Sequence, residues 1–145
     1  MAAWVGFLRG HAVLTRTLNQ QLVAEHGLTI NDYEVLLRLS RAPERHMKRI
    51  ELARSLLLTP SGITRLLDGL QTAGWVEKAS CSTDARITYA VLTDAGSKKL
   101  REAAESHLAD IDRLFSGRFD DAELATLAGL LGRLDGADRA DCSPG

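Results

Sequence analysis

The sequence has few aromatic side chains: two Trp, two Tyr and three Phe make up 5% of its 145 residues. That scarcity argues against a β-sandwich packed on aromatics and favours helices rich in Leu and Ala. Cysteine is scarce as well. Cys81 and Cys142 stand far apart, the second in a polar tail, so the chain offers neither a disulfide framework nor a metal-ligand spacing, and a reducing compartment is expected. A long apolar run is also missing. Residues 1–8 are apolar, but no basic stretch precedes them and Arg9 and His11 interrupt them, which fits neither a secretion signal nor a membrane span and leads to the expectation of a cytoplasmic protein. Catalytic signatures are absent too: there is no Gly-x-Ser-x-Gly, no phosphate loop and no His-Glu-x-x-His, and His11, His26, His46 and His107 have no metal spacing. The expectation is therefore no enzyme, no cofactor and no metal.

What is present is an ordinary globular composition, 45% hydrophobic and 26% charged, enough for one domain or at most two small subdomains. The net charge of −1 hides a sharp asymmetry. Residues 1–40 are neutral, residues 41–101 carry eleven Lys and Arg against six acids, and residues 102–145 carry four Arg against ten acids. A basic middle third suggests an anionic partner; solvated helix faces that differ in sign are the plainer alternative.

Hydrophobic spacing gives the elements. Trp4, Phe7, Leu8, Leu14, Leu18 and Leu22 form a helical stripe that Gly27 closes. Thr29 or Asn31 caps a second helix with Tyr33, Leu36, Leu37 and Leu39 inward, ending before Pro43. A third is expected from Met47 to Ser55, with Ile50, Leu52, Ala53 and Leu56 apolar and Lys48, Arg49, Glu51 and Arg54 outside. Thr59 and Pro60 open a fourth, Thr59 as the capping oxygen and Pro60 at the first position, where its missing N–H costs nothing. This helix is expected to bury Ile63, Leu66, Leu67 and Leu70, to stop near Gly74, and to leave Ser61, Thr64, Arg65, Asp68 and Thr72 outward. Residues 75–79 and 87–92 read as two strands of a hairpin. Thr93 caps a helix over 94–116 with Leu100, Ala104, His107, Leu108, Ile111, Leu114 and Phe115 on one stripe. A last helix over 120–134 turns Leu124, Leu127, Leu130, Leu131 and Leu134 inward, and residues 136–145 read as a flexible tail.

The fold class is thus mainly α with a small β component (α+β): helix, tight turn, second helix and hairpin wing, a winged helix-turn-helix whose basic segment coincides with the motif. Ala53 takes the small position where the helices cross, whereas Leu57 stands in the turn where many such motifs have Gly. The small polar outer face of the Thr59-capped helix suits a major groove. Arg65 there can pair two donors with a guanine edge or hold a phosphate, while Lys48 and Arg49 at the back can touch phosphates only. Asp84 and Arg86, two apart near the hairpin tip, can face one side, the carboxylate holding the guanidinium; an exposed salt bridge without further role is the alternative.

Leu52-Ala53, the run from Thr59-Pro60-Ser61-Gly62 to Leu67-Asp68, Gly74-Trp75-Val76, Asp84-Ala85-Arg86 and Leu92-Thr93-Asp94-Ala95-Gly96 together resemble the MarR family of transcription regulators over nearly the whole chain. The resemblance implies a homodimer with a helical base built from N-terminal (1–28) and C-terminal (94–135) helices. The stripes of the first and the last two helices, more apolar than one small chain can easily cover, also point to it, a monomeric core being the alternative. The resemblance further implies a winged domain over 29–93 that binds double-stranded DNA at a palindromic operator. It implies that Arg86 enters the minor groove, and that a small aromatic or acidic effector, seated between base and wing domain, relieves repression. By their places on the first two helices His11 and Tyr33 are candidates for lining that cleft, core packing being the other reading of each. Some relatives sense oxidants through cysteine, so Cys81 is either a redox switch or an inert surface thiol. A dimeric winged-helix module that binds proteins in place of DNA is the alternative function.

Overall fold

The computed structural model describes residues 1–84 and 86–135, so Ala85 and the expected tail over 136–145, with Cys142, lie outside the described residues. The described residues form two compact units, one over residues 1–108 and one from residue 109 onward.

The first unit opens with α1 (Ala2–His26), which ends as expected at Gly27, left-handed at φ 66 and donating its N–H to the Val23 carbonyl at 3.0 Å. Thr29 caps α2 (Ile30–Arg41) in a reciprocal box: its hydroxyl accepts from the Asp32 N–H at 3.1 Å, and the Asp32 carboxylate accepts from the Thr29 N–H at 2.8 Å. The buried face of α2 is Tyr33, Val35, Leu36 and Leu39.

The next segment corrects the sequence reading. The third helix begins two residues later than expected, as α3 (Arg49–Ser55), because residues His46–Lys48 form a strand, β1. Three residues are too few to show a two-residue alternation, and the strand exists because the later strand over Thr88–Leu92 offers it an unpaired edge. Ile50, expected inside, is 57% exposed, since the short helix turns Leu52 and Ala53 inward instead. The turn after α3 is made by Leu57 in the left-handed region at φ 54, so the departure from glycine noted in the sequence is carried as local backbone strain on an exposed side chain.

Next, α4 (Pro60–Thr72) buries Ile63, Leu67 and Leu70, with Leu66 half-buried. The hairpin is β2 (Val76–Ser80) and β3 (Thr88–Leu92), antiparallel from Val76 opposite Leu92 to Ser80 opposite Thr88. With β1 paired on the other side of β3, from His46 opposite Val91 to Lys48 opposite Tyr89, the sheet order is β1-β3-β2. Leu22, Leu28, Leu36, Leu39, Leu52 and Leu67 are the centre of one core shared by α1 to α4 and the sheet.

Thr93 starts α5 (Asp94–Ser116) and ties it to the α4–β2 junction. Its hydroxyl donates to the Gly74 carbonyl at 2.8 Å and accepts from the Gly96 N–H at 3.0 Å, while its own N–H donates to the Trp75 carbonyl at 3.1 Å. Gly96 is obligatory there. An added Cβ would overlap the Trp75 carbonyl oxygen and stand 2.8 Å from Leu92 Cδ1. The Leu-Thr-x-x-Gly pattern is therefore one joint, with Leu92 and Gly96 buried.

In the second unit α6 (Asp121–Asp135) is capped by Asp120, whose carboxylate accepts from the Glu123 N–H at 2.9 Å while Glu123 accepts from the Asp120 N–H at 3.0 Å. The leucines expected inside are not buried. Leu124 and Leu127 are half-buried, and Leu130, Leu131 and Leu134 are exposed. Leu108, at the end of the first unit, is exposed too, as are Trp4, Phe7 and Leu8 on α1. A periodic stripe reports which face is apolar, and nothing in the pattern says whether its own chain covers it. Among the described residues no helix is long and apolar enough to cross a membrane.

Candidate nucleic-acid interface

The outward face of α4 is assembled from its first turn. Thr59 Oγ1 accepts from the Gly62 N–H at 3.1 Å, and Pro60 occupies the first helical position, so the helix start is fixed by two local devices. Ser61 and Arg65 stand exposed one turn apart. Thr64, between them along the helix, is half-buried; its hydroxyl donates to the Pro60 carbonyl at 2.8 Å and accepts from Arg49 Nη1 at 3.3 Å. Farther along, Asp68 pairs with Lys78 of β2, which neutralises the one carboxylate on this face and leaves Arg65 as its open charge.

The wing carries the second group. Arg86 donates from Nε to Asp84 Oδ1 at 3.1 Å and from Nη2 to Oδ2 at 3.3 Å, a bidentate pair, and its backbone N–H donates to the same Oδ1 at 3.0 Å. These bonds hold the Asp84 carboxyl below the usual carboxylate range, so both members are charged at neutral pH. The Arg86 side chain is 91% exposed. Asp84 and Arg86 meet as anticipated, for a different reason: both lie in the loop between β2 and β3, and an aspartate turn brings them together where strand alternation was invoked. A cleft of about 320 Å³ at the foot of the wing is lined by Lys48, Arg49, Ile50, Arg86, Ile87 and Thr88. Lys48 also borders a second basic cleft of about 530 Å³ with Arg38, Arg41, His46 and Tyr89. The sequence reading missed that cleft because its wall is β1.

Of the two cleft candidates, His11 lines a larger cavity of about 960 Å³, with Thr15, Arg16 and Asn19 of α1, Thr29 to Asn31, Leu56 and Leu66. Tyr33 does not line it. Its ring packs against His107 at 4.6 Å, and burial pushes its phenol above the ordinary value. Arg16 and Asn19 escaped the sequence reading because they are polar residues beside the apolar stripe of α1, and the cavity appears only when Thr29 to Asn31, Leu56 and Leu66 close it. Cys81, half-buried at the start of the wing loop, shares a hydrogen bond of 3.1 Å with the Thr83 hydroxyl, which holds the thiol below its usual value.

Comparison with known proteins agrees with this geometry. The family model described as MarR family matches residues 26–87. The transcriptional regulator PecS of Dickeya dadantii is 24% identical over 132 residues, covering 90% of this chain and 79% of PecS. Among solved structures, AbsC, a MarR family transcriptional regulator from Streptomyces coelicolor, is 30% identical with a TM-score of 0.83, covering 92% of this chain and 90% of that one. Sco3205 from the same organism, a MarR family regulator solved in complex with DNA, is 25% identical with a TM-score of 0.85 over 92% of this chain and 84% of its own. With the α4 face, the wing clamp and the Thr93–Gly96 joint all in the order the motifs require, the chain belongs to the MarR family of winged-helix, DNA-binding transcription regulators.

Proposed function

We propose that the chain works in the cytoplasm as a homodimeric repressor that reads a palindromic operator and is released by a small aromatic or acidic effector. The observation that carries this reading is the wing clamp, an exposed guanidinium held by two side-chain bonds and one backbone bond to Asp84. Such a group is ready for the negative potential of a narrow minor groove. On α4, Thr59 and Pro60 fix the helix start, Ser61, Thr64 and Arg65 face base edges in the major groove, and Lys48 at the wing foot holds backbone phosphate.

Dimerisation is supported by apolar side chains that the single chain leaves uncovered. Trp4 and Phe7 on α1 are 59% and 43% exposed, and Leu130 and Leu134 on α6 are 50% and 70% exposed. Effector release is supported by the cavity at His11, where Arg16 supplies a cation for an acidic ligand. An effector acts only by preferring the conformation in which the two recognition helices miss their grooves.

The test is selection from a random duplex library at one fixed salt concentration. Wild type should enrich an inverted repeat with half-site centres about one helical turn apart. Arg65→Ala should lose preference at one base pair per half-site, whereas Lys48→Ala should weaken all sequences evenly. No enrichment by the wild type, together with a shallow salt dependence, would overturn DNA reading in favour of a protein-binding module.

A further inference from the structure

Threonine offers a groove two groups, a hydroxyl and a methyl. In Thr64 the hydroxyl is already occupied. Its single proton goes to the Pro60 carbonyl at 2.8 Å, and its oxygen accepts from Arg49 Nη1 of α3 at 3.3 Å. One of these partners is the backbone of its own helix and the other is a guanidinium reaching across from the neighbouring helix. Ser61, on the same face, differs. Its hydroxyl meets only that of Thr59, at 3.2 Å, and can reorient toward a base while Thr59 Oγ1 stays on the Gly62 N–H.

We propose that Thr64 reads the 5-methyl group of a thymine through its own methyl, and that Arg49 is a positioning residue that keeps the Thr64 hydroxyl out of the readout. The inference rests on the reading of α4 as the groove helix. A hydroxyl with its proton committed and a cation on its oxygen is a poor partner for a base edge, which leaves the methyl as the group on offer. In the major groove the thymine methyl is the apolar mark that such a group recognises. This also alters the role expected of Arg49. In the sequence it reads as a contact to phosphate, while the structure joins it to a specificity position.

The experiment starts from the duplex that wild type selects and replaces each thymine in turn with deoxyuridine, which removes only the methyl. Binding is measured for wild type, Thr64→Val and Thr64→Ser. The proposal expects one thymine per half-site whose replacement weakens wild type by roughly three- to fivefold, the worth of burying one methyl. Thr64→Val, which keeps methyls and has no hydroxyl, should retain that penalty. Thr64→Ser, which keeps the hydroxyl and has no methyl, should show none. If no replacement weakens wild type, or if Thr64→Ser keeps the penalty, or if Thr64→Val loses it, the methyl readout is overturned while α4 stays a groove helix. A library from which wild type selects nothing overturns the reading of α4 and this proposal with it.

Discussion

In the proposed function Arg86 is a side chain whose task is to wait for a partner, and such a side chain contributes little to folding. The ion pair with Asp84 is solvent-exposed, and exposed pairs add little to stability. What the pair does is select one orientation of a long, flexible side chain before binding, so less entropy is lost on entering a groove. Arg86→Ala should therefore weaken operator binding by roughly tenfold or more while leaving the melting temperature and the oligomeric state unchanged; gel-shift titration beside calorimetry checks both halves. The carboxyl of Asp84 is held below its ordinary value, so the clamp is intact above the unfolded carboxyl's pKa and is lost only as pH falls through the lower folded value. Operator affinity should show no titration of the Asp84 clamp across neutral pH. At this scale the sequence was legible for Asp84 and Arg86, whose spacing allowed the pair. It was not legible for the Arg49–Thr64 bond, because nothing in the pattern of one helix says which side chain of the next reaches it.

Among the elements, capped helices were the easiest to read. Thr29, Thr59 and Thr93 each supply the expected capping oxygen, since a cap is a local bond whose partners lie within three residues. β1 was missed because its cause is distant: the edge of β3 some forty residues later. The joint at Thr93 and Gly96 lies between these cases. The motif was visible in the sequence, and its physical reason, the approach of α5 to the Trp75 carbonyl, needed the structure. Gly96→Ala should destabilise the fold by about 3 kcal/mol, because backbone on one side and Leu92 on the other leave the new methyl no space. Urea denaturation followed by circular dichroism reads this directly, and a loss below about 1 kcal/mol would show that the joint can open.

For the whole molecule, the sequence marked the stripes on α1, α5 and α6 as more apolar than one small chain can easily cover, but not which residues of each stay uncovered. Only the leucines of α6 were read as turned inward. In the single chain Leu108 is 60% exposed and Leu134 70%, which is the surface that the second copy of the proposed dimer would cover. The charge asymmetry agrees with a division of labour, with the excess of Lys and Arg in residues 41–101, which hold α4 and the wing, and the acids concentrated after residue 101. Leu108→Asp should leave the single-chain core intact and dissociate the dimer, because it places an unpaired charge on the covered face. The central claim, that two copies read one symmetric site, is tested most directly by sedimentation of the wild-type protein at micromolar concentration, alone and with the selected inverted repeat. The account predicts a dimer in both cases and two chains per duplex; a monomer that occupies an isolated half-site as tightly as the full repeat would contradict it.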